Sequence, residues 1–190
     1  MPFPLRLQIA GAAYHVATRA TGPSDLFRDR EDRVRFLRIL EYVDRKYGWR
    51  IHAYCLLVTH YHLVITTPEP NIARGMQLLN SLYARTFNER HGRLGHLVAA
   101  RYSASVIESD GHAFEACRYL PLNPVRSKLC SKPEHYRWSS YAATIGLRTP
   151  PAFLDSSWIL ERFGDDLSSA RQNLRDFVET ALVSETIEVA

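Results

Sequence analysis

The chain has 190 residues, 46% of them hydrophobic, and a formal net charge of +4 at pH 7. This length and hydrophobic content predict one globular domain with a substantial core. No run approaches the roughly 20 apolar residues that span a bilayer, so no membrane partner is expected. We expect no signal peptide, and the three widely spaced cysteines fit a reducing cytoplasm better than a zinc site.

The charge is distributed unevenly along the chain. Residues 155–190 hold eight acidic and three basic side chains, a net charge of −5, so residues 1–154 carry +9. Of the 24 basic residues, 21 are arginine, which binds phosphates and bases through two parallel hydrogen bonds. The basic body predicts a polyanionic partner, nucleic acid first. A genome that favours arginine codons is the alternative explanation of the skew.

The first predicted elements are a strand and a helix. Residues 13–20 alternate weakly between polar and apolar side chains, which predicts a strand. Residues 29–47 carry apolar side chains at helical spacing, with Asp29 or Asp32 as the N-cap and Gly48 just beyond the last turn.

A run rich in β-branched and aromatic residues, 51–67, predicts two strands or one long bent strand. Side chains two apart on a strand share a face, so His60 and His62 point the same way while the alternate side chains enter a core. Neutral imidazoles commonly bind divalent metals, although a complete site needs further ligands. Alone, such a pair is more often structural. The first strand's His15 can reach the same face, with the same alternative.

The next stretch completes the predicted sheet. Asn71 is expected to cap a second helix whose apolar face runs from Ile72 to Phe87. The glycine-containing loop 91–96 is basic and can lie over a phosphate backbone. Residues 101–107 predict the last strand. The order strand, helix, strand, strand, helix, strand predicts an α+β, ferredoxin-like antiparallel sheet with two helices on one face and the other face open for a substrate.

A third helix is expected to begin at residue 110. Pro121 should stop or kink it, because an interior proline removes a hydrogen bond and clashes one turn back. Residues 122–126 are expected to restart the helix, with Asn123 before Pro124 in a favourable position for an N-cap.

The C-terminal third predicts short helices. Residues 138–141 predict a short helix or turn, and residues 155–163 and 168–182 predict two acidic amphipathic helices. A proline-containing linker precedes these helices. We therefore expect a boundary between a basic body, residues 1–145, and an acidic C-terminal helical extension, residues 146–190.

Several short motifs occur in a fixed order between about Pro4 and Ala143. They are Tyr14-His15-Val16, His52-Ala53-Tyr54-Cys55, His60-Tyr61-His62-Leu63-Val64, Thr67-Pro68-Glu69-Pro70-Asn71, Gly75-Met76, Arg101-Tyr102, Arg118-Tyr119-x-x-Leu122-Asn123-Pro124-Val125-Arg126 and Trp138-Ser139-Ser140-Tyr141. Together they resemble the single-tyrosine transposases with a His-hydrophobe-His (HUH) motif, in particular the IS200-like transposases associated with repetitive extragenic palindromes (REP).

The resemblance implies a metal-dependent enzyme that cleaves and rejoins single-stranded DNA at or near palindromic hairpins, with residues 1–145 as its nuclease domain. His60 and His62 match the metal-binding pair, Asn123 the third ligand and Tyr119 the nucleophile that forms a covalent 5′-phosphotyrosine. This ligand set suits Mg²⁺ or Mn²⁺. The side chains expected at the DNA are Arg19, Arg93, Arg101, Tyr102 and Arg126.

Alternatives remain for these assignments. Tyr119 can be an ordinary core residue, Asn123 a helix cap, and Arg101 with Tyr102 a half-buried strand pair. A catalytically inactive, domesticated regulator that binds hairpin DNA is the main alternative function. An RNA-binding or metal-dependent hydrolase domain with the same fold is more remote. Proteins of this family often pair, so a homodimer is one expected state.

Overall fold

A computed structural model describes residues 8–99 and 101–188, and the side chains of residues 8–99 and 101–182. The start of the predicted basic body, residues 1–7, and the end of the predicted acidic extension, residues 189–190, lie outside the described residues. Within the described residues, four strands form one antiparallel sheet in the order β2-β3-β1-β4. They are β1 (Ala12–Arg19), β2 (Arg50–Leu56), β3 (His60–Thr67) and β4 (Ser103–Val106). The predicted α+β, ferredoxin-like arrangement is confirmed.

Two long helices, α1 (Arg30–Tyr47) and α2 (Ile72–His91), pack on one face of the sheet. The Asp29 side chain accepts a hydrogen bond from the Asp32 amide, and Gly48 ends α1 with a φ of 65°. Both ends of α1 are therefore as predicted. The apolar stripe of α2 is buried in this first core, which also explains why its polar side faces outward.

The two faces of β3 serve different purposes. Tyr61, Leu63 and Ile65 are buried in the first core under α1 and α2. Because strand side chains alternate, His60 and His62 project from the opposite face. The orientation predicted for the histidine pair is thus confirmed.

That opposite face is open only in part: Arg19 of β1 and Ser103 and Ser105 of β4 are exposed, whereas the expectation of an open face was wrong for the part on β2 and β3. Helix α3 (Asp110–Arg126) packs against it and buries Leu120 with Ala53 of β2 and Val64 of β3 in a second core. A later helix, α6 (Leu167–Glu188), contributes Leu174 to the same core. The cover comes from segments that follow the sheet in sequence.

Helix α3 is continuous through Pro121 and Pro124, so the predicted stop at Pro121 and the restart over residues 122–126 were wrong. Each of the two interior prolines costs a helix about 3 kcal/mol. Burial of a leucine side chain contributes about 1.5–3 kcal/mol, and both Leu120 and Leu122 are buried beside the prolines. Packing in the second core therefore offsets the local penalty.

Asn71 occupies the N-cap position of α2, but its side chain does not cap the helix. Its Oδ1 accepts a hydrogen bond of 2.7 Å from Trp49 Nε1, and its Nδ2 donates to the Tyr47 carbonyl at 3.0 Å. The predicted capping bond was wrong because the amide instead ties the start of α2 to the end of α1.

After α3 the chain returns along the outer edge of β2. Residues 138–140 exchange backbone hydrogen bonds with Tyr54 and Leu56, and the Asp155 amide donates to the Ile51 carbonyl. Two four-residue helices lie in this part, α4 (Tyr141–Thr144) and α5 (Ser157–Leu160). In the described part of the chain, none of the helices has the length and apolar character needed to cross a membrane.

Candidate functional site

The site is built on the β1–β3 pair, on the face beneath α3. The ring centroids of His60 and His62 lie 5.1 Å apart, edge to face. Arg19 of β1 pairs with His60 across the ladder. Paired residues on neighbouring strands share a face, so the guanidinium lies on the same side as the imidazoles.

Burial keeps both imidazoles uncharged. The pKa of His62 is lowered to about 3, chiefly by desolvation and to a smaller extent by electrostatic interactions with His15, His60 and Arg19. The pKa of His60 is also lowered, first by burial and then by Arg19. Both histidines are therefore neutral near pH 7, which is the form that binds a metal.

The two ring nitrogens of His62 have different surroundings. Its Nδ1 lies 3.1 Å from His15 Nε2, whereas its Nε2 is buried with no hydrogen-bond partner among the described residues. A buried polar atom without a partner costs free energy, and a bound cation would remove that cost. The unpartnered Nε2 of His62 fits a metal-ligand position. On His60 the Nδ1 lies 3.1 Å from Thr59 Oγ1, so its Nε2 is the nitrogen left for a metal.

Tyr119 reaches the histidines from α3. Its ring centroid lies 5.3 Å from that of His62 and 5.8 Å from that of His15, edge-on in both contacts. The Arg126 guanidinium lies 5.5 Å from the Tyr119 ring centroid. The tyrosine is half-buried rather than enclosed in a core, so its position is compatible with an attacking phenol.

Asn123 lies one helical turn after Tyr119 and is only 7% exposed. Its Nδ2 donates a hydrogen bond of 2.9 Å to the Tyr119 carbonyl. Because the residue lies inside α3, the alternative that it caps a restarted helix was wrong. The bond uses the amide nitrogen, and the oxygen is the atom through which an asparagine binds a metal.

Among the described side chains, those of residues 8–99 and 101–182, no three from His, Cys, Asp or Glu converge as a metal-binding group. The histidine pair therefore needs a ligand of another type to complete a site. An amide oxygen is such a ligand, which is compatible with the predicted set of His60, His62 and Asn123.

The other predicted DNA-binding side chains are spread more widely. Arg19 and Arg126 lie at the histidines and at Tyr119, as described above. Arg93 instead holds its own loop, because its guanidinium donates to the His96 carbonyl and to Asn88 Oδ1. Arg101 is exposed just before β4, and Tyr102 packs against the first core.

His15 was expected to reach the face that carries His60, and the structure places it there, but the sequence did not reveal its contact with His62. The β1–β3 register places His15 opposite Val64, next to His62 on the same face. Its pKa is lowered by burial and by the charge of His112, so this imidazole is also neutral near pH 7. The alternation of side chains along β1 predicts the face on which His15 lies, whereas its contact with His62 depends on the register between β1 and β3.

Comparisons with known proteins identify a family and a shared fold. The sequence profile of a family described as “Transposase IS200 like” matches residues 8–120, more than half of the chain. The match includes both histidines and Tyr119 and ends before Asn123. No curated protein matches the chain.

The chain is also similar to a solved structure of a REP-associated tyrosine transposase bound to a REP hairpin, with a TM-score of 0.66 and 16% sequence identity. The similarity covers 88% of this chain and 93% of that chain. At this identity the likeness concerns the fold, which is the one described above.

Proposed function

Because this chain belongs to the IS200-like transposase family, we propose that it cleaves and rejoins single-stranded DNA at or near palindromic hairpins. In this proposal Tyr119 is the nucleophile, and His60, His62 and Asn123 bind Mg²⁺ or Mn²⁺. The observation that supports it best is that Tyr119 lies edge-on to His62, whose Nε2 is buried without a partner among the described residues.

The reaction exchanges one phosphodiester for another. The Tyr119 Oη forms a bond to phosphorus, the bond from phosphorus to the DNA O3′ breaks, and the phenolic proton is balanced by the proton on the released 3′-hydroxyl. The DNA 5′ end is then held as a phosphotyrosine, which a 3′-hydroxyl can attack to rejoin a strand. A bound divalent ion would polarise the phosphate oxygens and stabilise the charge of the transition state.

The chain's own side chains prepare this reaction. His60 and His62 present neutral nitrogens, and Asn123 donates its Nδ2 to the Tyr119 carbonyl, which ties the proposed ligand to the nucleophile's backbone. Arg126 beside the Tyr119 ring and Arg19 beside His60 add positive charge where a phosphate would lie.

Two observations support DNA as the proposed substrate, and only the first of them points to hairpins. The related fold was solved with a REP hairpin, and residues 1–154 of this chain carry a net charge of +9. Positive charge attracts any polynucleotide, so the charge supports DNA binding in general. The preference for hairpins is proposed from the related structure alone.

A covalent adduct tests the proposal. The protein is incubated with labelled hairpin oligonucleotides and Mn²⁺, and adducts are detected on a denaturing gel. We expect an adduct with the unmodified protein and with Tyr42→Phe, which changes an exposed tyrosine of α1. We expect none with Tyr119→Phe or in EDTA. An adduct formed by Tyr119→Phe would show that another group is the nucleophile.

A hairpin-binding regulator without catalysis is the second candidate. It is supported by the net charge of +9 on residues 1–154 and by the likeness in fold to a structure bound to a hairpin, neither of which requires catalysis. This function predicts hairpin binding that persists in EDTA and no adduct from the unmodified protein. The same gel and a binding measurement with and without EDTA therefore separate the two functions.

A further inference from the structure

The contact between His15 and His62 is the starting point. His15 Nε2 and His62 Nδ1 are 3.1 Å apart, and the two ring planes are tilted by 35° with centroids 5.3 Å apart. The distance is that of a hydrogen bond, and one nitrogen must carry the proton while the other accepts it.

The direction of this hydrogen bond decides what His62 can bind. A neutral imidazole has one N–H, so a proton on Nδ1 leaves a lone pair on Nε2, and the reverse is equally strict. If His62 accepts at Nδ1, its Nε2 carries a hydrogen that is buried without a partner among the described residues. If His62 donates from Nδ1, its Nε2 is ready to bind a cation.

We propose that His15 is a positioning residue, which accepts a hydrogen bond from His62 Nδ1 and thereby fixes His62 in the tautomer whose Nε2 binds the metal. The inference rests on the proposed function, because it takes His62 as a ligand. Residues that orient metal-binding histidines commonly act in this way, through the ring nitrogen that does not touch the metal.

His15 also touches Tyr119, and this contact must be separated from the hydrogen bond. The two rings meet edge-on at 5.8 Å. His15→Phe keeps an aromatic ring against Tyr119 but removes the acceptor. His15→Gln loses the ring but can present an amide oxygen near the position of Nε2. The pair of variants therefore distinguishes packing from hydrogen bonding.

The first test observes the tautomer directly in the metal-free full chain, without DNA. Long-range ¹H–¹⁵N spectra of the labelled protein report which nitrogen of His62 carries the proton. We expect the proton on Nδ1 in the unmodified protein and in His15→Gln, and a mixture of both tautomers in His15→Phe. A proton on Nε2 in the unmodified protein overturns the proposal, and this measurement needs no variant.

The second test measures Mn²⁺ affinity by calorimetry in the absence of DNA. Loss of a group that orients a ligand commonly lowers metal affinity about 10–100-fold, and we expect this for His15→Phe, with recovery in His15→Gln. His112→Gln is the control, because His112 affects the pKa of His15 through its charge. The variant removes that charge and keeps the His15 side chain. It should leave the tautomer of His62 unchanged.

The outcomes separate this proposal from the proposed function. An unchanged Mn²⁺ affinity in His15→Phe overturns the positioning role, whatever the adduct assay gives. Failure of the unmodified protein to form an adduct, with the Nδ1–H tautomer intact and Mn²⁺ bound, overturns the strand-transfer activity and leaves the role of His15 standing.

Discussion

Replacing Asn123 by aspartate separates the two tasks that the structure and the proposal give this side chain. The Asn123 Nδ2 donates to the Tyr119 carbonyl, whereas the proposed metal ligand is Oδ1. Aspartate keeps an oxygen in that position and removes the donor. Asn123→Ala removes both. The two variants should therefore differ most in how their stability responds to a metal.

The expected magnitude follows from the position of Asn123. A buried carbonyl that loses its partner costs about 1–3 kcal/mol, and a negative charge in the last turns of a helix costs about 0.3–1 kcal/mol more. We expect Asn123→Asp to lower the free energy of unfolding by about 2 kcal/mol in EDTA. In a chain of this length that corresponds to a fall in Tm of about 4–8 °C.

Metal should reverse this loss in one variant only. A cation at 100 times its Kd stabilises the folded protein by about 2.7 kcal/mol. We expect Mn²⁺ to raise the Tm of the unmodified protein and of Asn123→Asp in thermal melts, and to raise that of Asn123→Ala much less. Carboxylate oxygen is at least as good a ligand as amide oxygen for Mn²⁺.

A matched control tests the cost assigned to burial. Asn173 makes the same kind of bond, from Nδ2 to the Phe163 carbonyl at 2.7 Å, but it is exposed. Asn173→Asp should change the free energy of unfolding by less than about 0.5 kcal/mol. If Mn²⁺ stabilises Asn123→Ala as strongly as the unmodified protein, Asn123 is not a ligand and the reasoning fails.

Two further predictions concern stability. In Gly75→Ala the new Cβ would lie 2.0 Å from Trp49 Cζ2, so the indole must move and we expect calorimetry to show a loss of about 1–3 kcal/mol; a raised Tm would contradict the packing. Burial raises the pKa of Asp44 to about 6, so the stability that its protonation contributes is lost as the pH rises from about 4 through 6. Asp44→Asn should therefore become the more stable protein over that range, by about 1 kcal/mol at pH 7 after allowance for solvent screening. Parallel urea melts of both proteins at pH 4 and pH 7 measure this. The same difference in the free energy of unfolding at the two pH values would refute it.

Patterns that act over a few residues predicted much of the fold. Asp29 and Gly48 mark the ends of α1 because each acts on the backbone within about one helical turn. The orientation of His60 and His62 follows from the two-residue period of a strand, which no distant contact can change. Local sequence patterns therefore predict the sheet and the two helices that pack on it.

Features that depend on distant segments were not predictable in the same way. Pro121 signals a break, but the second core holds α3 together through residues that include Leu174, far along the chain. Asn71 reads as a cap, yet Trp49 and the Tyr47 carbonyl use its amide. Each error arose where a tertiary contact outweighed a local preference.

In the candidate site, too, local patterns predicted less than the contacts between distant segments determine. The resemblance supplied His60, His62, Tyr119 and Asn123, and no local pattern could have brought α3 onto β3. The hydrogen bond of His15 depends on the pairing of β1 with β3, which is set by the whole sheet. Assignments of metal binding and nucleophile therefore stay predictions until they are measured.

The chain that returns along β2 also limits how copies of the protein can associate. Backbone donors and acceptors at an uncovered sheet margin can recruit a foreign strand, which leads to strand exchange or aggregation. Here residues 138–140 and Asp155 already occupy groups of β2, so an incoming strand would first have to displace them. Growth of the sheet by strand addition would therefore have to begin at β4, whose four residues provide a short template.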